Sequence, residues 1–227
     1  MIVQEPPYDL VVLSSDADMK SLLEQLIERG QTGRNCTRPF RWRCLRDPRR
    51  DTVWREPHRP LAPFLEMGCP FLVVWDHQGS GRENRPPEDL ESEAVRSLMA
   101  HGVSADRALA VAFDPELEIS WRSTWPRVKQ IVAGERREEP PDDLTVLAAA
   151  RRANPRLRIP DDFEMALGQC PKELFEALIR LLRLRLSPPL YAKLGEALSL
   201  RALKRERALA RIANAISIWL PPQSAEG

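Results

Sequence analysis

The chain has 227 residues, 43% of them apolar, enough for one large core or a medium core beside a smaller one. Lys and Arg number 34 against 33 Asp and Glu, so no global field draws this chain to nucleic acid or membrane; any such contact must come from a local patch. The four cysteines, Cys36, Cys44, Cys69 and Cys170, form no C-x-x-C pair and no zinc spacing, which points to reduced thiols in a cytosolic protein.

The opening stretch MIVQEPPYDL lacks a basic segment and a long apolar run. No window approaches the ~20 apolar residues of a membrane span, so a soluble, cytoplasmic protein without membrane contact is expected. YDLVVLSS, residues 8–15, reads as a buried strand. A helix should follow, capped by Asp16 or Asp18, with Leu22, Leu23, Leu26 and Ile27 on one face and Gly30 at its end. FRWRCLR, 40–46, sets Phe40, Trp42 and Cys44 against arginines, as in a half-exposed strand. RPLAPFLEMG predicts a short helix, and FLVVWD, ending at Asp76, a second buried strand. A helix opens at Pro86 and Pro87 and ends near Gly102. RALAVAFD, 107–114, is another apolar strand, followed by turn and helix to Gly134.

This alternation of strand and helix predicts an α/β fold with a mainly parallel sheet flanked by helices. ERREEPPDD, 135–143, is charged and proline-rich and reads as a linker or loop. Three leucine-rich stripes beyond it predict a helical C-terminal portion, with core contacts along each stripe. The expected organisation is therefore an α/β domain over 1–134, the connection 135–143, and helices over 144–227.

In an open α/β sheet, ligands gather at the carboxyl ends of the strands. Here the strand ends carry Asp16 and Asp18, then Asp76, then Asp114 with Glu116 and Glu118 close behind. If those strands are parallel neighbours, the acids meet at one edge and suit magnesium, which takes hard oxygen ligands. Each acid taken alone is better explained as a turn former or helix cap, and only their coincidence across three strands brings the shared site level with that reading. The stretch DHQGSGRE after the second of these strands lacks the spacing of a dinucleotide or P-loop motif, and Ser80 has no G-x-S-x-G context.

The runs VVLSSDAD, RPFRWRCLRDP, FLVVWDHQGSGRE and AVAFDPELEISW together resemble a family of small prokaryotic proteins with a Toprim-like core, associated with anti-phage defence loci. D-x-x-G-S-G-R-E and D-P-E-L-E are the most specific parts. The resemblance implies a Toprim-like fold, magnesium as cofactor, and partners such as an ATPase, nuclease or methyltransferase. Toprim chemistry uses a glutamate after the first strand and a D-x-D after a later one. By position the glutamate falls at Ser14 or Ser15 and the second acid of D-x-D at Gln78, so two acidic positions are altered.

Two functions follow. One is an accessory subunit with a degenerate metal site that binds partner proteins. The other is a magnesium-dependent nuclease, with Asp16, Asp76 and Asp114 as metal ligands, Asp76, Glu116 and Glu118 in catalysis, and Arg82 on the developing charge. The segment 34–59, rich in arginine with Trp42 and Trp54 interleaved, is a candidate surface for DNA or RNA through Arg41, Arg43, Arg49 and Arg50, together with Arg82.

Overall fold

The computed structural model describes residues 7–32, 40–47, 53–198 and 205–221. The protein is α/β. Four strands, β1 (Leu10–Ser14), β2 (Trp42–Arg46), β3 (Phe71–Asp76) and β4 (Ala108–Phe113), form an all-parallel sheet in the order β2-β1-β3-β4. Helix α1 (Ala17–Thr32) joins β1 to β2, and α3 (Pro87–Met99) joins β3 to β4. The short α2 (His58–Leu61) continues as a 3₁₀ segment, Ala62–Met67, ahead of β3.

Strand alternation sorts the core into two layers. Leu10, Val12, Leu72, Val74, Val111 and Phe113 point to the face covered by α1 and the C-terminal helices. Val11, Leu13, Phe71, Val73, Trp75, Ala110 and Ala112 point to the face covered by α3 and the 53–67 segment. The reason is handedness. The chain moves one way from β1 to β2 and the opposite way from β3 to β4, so two right-handed crossovers must place α1 and α3 on opposite faces.

After β4 a 3₁₀ segment, Leu117–Thr124, leads into α4 (Trp125–Gly134). The connection 135–143 is largely exposed. Then come α5 (Asp143–Ala153), α6 (Phe163–Gln169), α7 (Pro171–Leu181), α8 (Pro188–Ala197) and α9 (Arg207–Trp219). Asp142 and Asp162 cap α5 and α6 through the N–H groups of Thr145 and Met165. These helices share one continuous core with α1 and the sheet: α8 crosses α1, α7 packs on the 3₁₀ segment after β4, and α9 lies along β4. Among the described residues no helix is long and apolar enough to cross a membrane.

Two helix ends depart from the pattern reading. α1 runs two residues past Gly30. The leucine stripe that continues to Leu186 leaves helix after Leu181, where Arg183 takes φ 50°. There the Leu184 N–H bonds Ile179 O and the Arg183 N–H bonds Arg180 O, a Schellman end. Arginine at a position that favours glycine gives no local signal, so the leucine periodicity runs on in the sequence after the helix has stopped.

Candidate functional site

A polar crevice of about 220 Å³ opens at the carboxyl end of the sheet, between β1 and β3. This is where strand order reverses and the chains leaving the two strands diverge. Ser15 and Asp16 enter from β1; Trp75, Asp76, Gln78 and Gly79 from β3; Glu116 from behind β4; and Lys172 from the start of α7. Asp16 Oδ1 accepts the Met19 N–H at 2.8 Å, which caps α1. Asp76 falls on the same sheet face as Leu72 and Val74, by alternation, and its Oδ1 accepts the Leu117 N–H at 2.8 Å.

The turn after Asp76 is closed from several sides. Gly79 and Gly81 take φ 86° and 75°, the left-handed conformations that favour glycine, and an added β-carbon at either would meet open space. Their N–H groups both donate to Glu83 Oε1, at 2.8 and 3.0 Å. The buried His77 ring lies between Asp114 Oδ1, 3.1 Å from Nδ1, and Arg85 O, 2.9 Å from Nε2.

Four carboxylates crowd this corner, and burial is the largest influence on three of them, Asp76, Glu116 and Glu118. Burial, then the charges of Glu118, Asp16 and Glu116, push the Asp76 carboxyl well above the usual range, against the pull of the Leu117 N–H. Burial pushes Glu118 up to about 7, although the Tyr191 hydroxyl and its own backbone N–H favour its charged form. Burial also raises Glu116, and the bond to Lys172 only partly offsets it. Lys172 Nζ is 2.6 Å from Glu116 Oε1. Burial works against the Lys172 charge, but the Glu116 carboxylate, then Glu118 and Asp76, hold the ammonium above its ordinary range.

The structure thus brings Asp16, Asp76 and Glu116 to one crevice. Glu118 lies just behind it, 6% exposed, with Oε1 accepting the Tyr191 hydroxyl at 2.6 Å. Asp114 turns away: it is exposed and pairs with His77 instead. Arg82 is exposed beyond the turn, with its N–H on Ser80 Oγ. Arg41 and Arg43 are exposed beside and on β2, Arg41 paired with Asp9 at 3.7 Å. Arg49 and Arg50 lie outside the described residues. Sequence reading missed Lys172 and Tyr191. Both come from helices beyond the 135–143 connection, and nothing local ties Lys172 to Glu116, 56 residues away.

Asp16, Asp76 and Glu116 are oxygen donors of the type magnesium takes, but their arrangement does not fit the ion. Among the described residues no three His, Cys, Asp or Glu side chains are grouped to hold a metal, and what faces Glu116 is an ammonium. No protein-family model, curated protein or solved structure matches the chain.

Proposed function

We propose that this chain is a Toprim-like accessory subunit of a prokaryotic anti-phage defence complex, acting by binding a partner protein rather than by cutting nucleic acid. One observation carries the reading. Ser15 and Gln78, which stand where the resemblance wants acids, both line the crevice beside Asp76. A hydroxyl and an amide bring no negative charge, so a divalent ion and the water it would activate lose two anionic ligands. The partner is an ATPase, nuclease or methyltransferase of the same system. Arg41 and Arg43, exposed at the edge of the sheet, and Arg82, exposed beyond the glycine turn, are the described residues of the candidate set that would meet a DNA or RNA backbone.

A second reading, a magnesium-dependent nuclease, is favoured by the convergence of Asp16, Asp76 and Glu116. One pair of measurements separates the two. Purified wild-type protein is incubated with single- and double-stranded DNA and RNA in millimolar magnesium, and phage plating is scored on cells carrying the locus with wild type, a deletion, or Asp76→Asn. The accessory reading expects no cleavage, loss of protection in the deletion, and near wild-type protection with Asp76→Asn. Magnesium-dependent cleavage that disappears in Asp76→Asn overturns it.

A further inference from the structure

The two edges of the sheet differ. On β4 the outward backbone groups are taken, the Ala112 N–H by Glu91 and Ala110 O by Arg211. The other edge is β2. The Asp47 N–H bonds Ser14 O, so by alternation Arg43 and Leu45 turn their backbone groups to β1. Trp42, Cys44 and Arg46 turn theirs outward, and no group among the described residues takes them. Such a row of unpaired N–H and C=O groups is a template for one more strand.

The side chains give this edge a pattern. Trp42, on the face covered by α1, and Leu45, on the face covered by α3, are half-buried, each packed against its core. Arg43 and Arg46 are exposed and pair with no acid among the described residues. An added strand would cover Trp42 and Leu45 and set its own side chains beside the two arginines, where opposite charge is favourable and like charge is not. A second copy of the chain would bring its own Arg43 and Arg46 to the same edge, so the pattern disfavours self-pairing and selects an acidic strand. Phosphates match the arginines, but they are acceptors only and leave the outward carbonyls unsatisfied.

We propose that the free edge of β2 takes an extended acidic segment of the partner protein as an added strand, with its carboxylates beside Arg43 and Arg46. The inference rests on reading the chain as a subunit that binds a partner protein, and adds where it binds and by what chemistry. Backbone hydrogen bonds supply the affinity, and the two arginines choose the sequence.

The test uses the full chain and a short fluorescein-labelled peptide of alternating Glu and Val, read by anisotropy. Saturable binding is expected. The same peptide with alternate amides N-methylated, and one with Lys in place of Glu, should each bind roughly tenfold more weakly or worse. On binding, hydrogen exchange should slow at the Cys44 and Arg46 amides and stay unchanged at Leu45, whose N–H already faces β1. The double variant Arg43→Glu, Arg46→Glu should prefer the Lys peptide. Absence of saturable binding overturns the inference, as does equal binding of the N-methylated peptide, which the wild-type chain tests even where the double variant does not fold. A thymidine oligonucleotide that displaces the Glu peptide would assign the edge to nucleic acid. A wild-type dimer that the double variant dissociates would assign it to a second copy. Either result also overturns the inference. Because every arm uses synthetic probes on the purified chain, the inference can fail while phage plating still supports an accessory subunit.

Discussion

The Tyr191 hydroxyl donates a 2.6 Å hydrogen bond to Glu118 Oε1, joining α8 to the segment behind β4 inside an aromatic cluster with Trp121 and Phe175. The contact lies deep in the shared core, where a charged carboxylate is hard to hold. Glu118 is raised by burial to about 7 in the folded chain and returns to an ordinary carboxyl when unfolded.

Stability should therefore fall as pH rises from the ordinary carboxyl range through about 7. The folded state binds the Glu118 proton more tightly than the unfolded one, so the contribution of this group is full below the unfolded carboxyl range. It is lost as pH rises through about 7. Asp76, also raised, acts in the same direction. Glu118→Gln keeps an acceptor for Tyr191 and removes the charge. We expect it to stabilise the protein at pH ~8 by on the order of 2 kcal/mol and to flatten the pH profile between about 5 and 7. Urea denaturation across that range is the measurement, and an unchanged slope in Glu118→Gln would count against the assignment.

Gly195 faces α1 with no room for a side chain. A β-carbon there would sit 2.7 Å from Gln25 Cβ and 3.0 Å from Leu22 O, atoms that cannot swing aside. Alanine improves helix propensity by up to ~1 kcal/mol. Overpacking against backbone costs about 1–3 kcal/mol and should win. Gly195→Ala is thus expected to be destabilising. Gly134→Ala, at the end of α4 with open space around the added carbon, should be neutral or slightly stabilising. Thermal melts of the two variants should move in opposite directions or differ by several degrees; equal melts would refute the close approach.

Glu91 closes the outer edge of the sheet. It is 4% exposed and accepts both Arg207 Nη groups, Arg211 Nη1 and, at 2.9 Å, the N–H of Ala112. Arg211 reaches on to Ala110 O at 3.4 Å. Side chains from α3 and α9 therefore occupy the edge groups of β4 that would otherwise offer a template to another strand. Glu91→Ala strips the Ala112 N–H of its partner and leaves Arg211 without its acid, while Arg207 keeps Glu88 at 2.8 Å. A loss of about 2–4 kcal/mol is expected, less than for a fully buried pair because both arginines remain part-exposed. Hydrogen exchange at Ala112 should rise more than at the inner strands, whereas a uniform rise across the sheet would argue against a local edge clamp.

Much of the fold was legible because its signals are local. Apolar runs such as FLVVWD mark strands, and Pro87 opens a helix through its own fixed backbone geometry. That Asp76 ends a buried strand is likewise written in six consecutive residues. What those residues do not contain is the strand order. Only the reversal between β1 and β3 makes Asp16 and Asp76 share a crevice, while Asp114 leaves β4 on the side of His77 and pairs with it. The counter-charge was the least legible part. Lys172 and Tyr191 meet Glu116 and Glu118 because α7 buries its leucine face on the 3₁₀ segment after β4 and on α5, and α8 on α1, and hydrophobic burial has no preference for which polar side chains it carries along. Periodicity identifies the face a helix buries, whereas its neighbour is decided by the packing of the whole core.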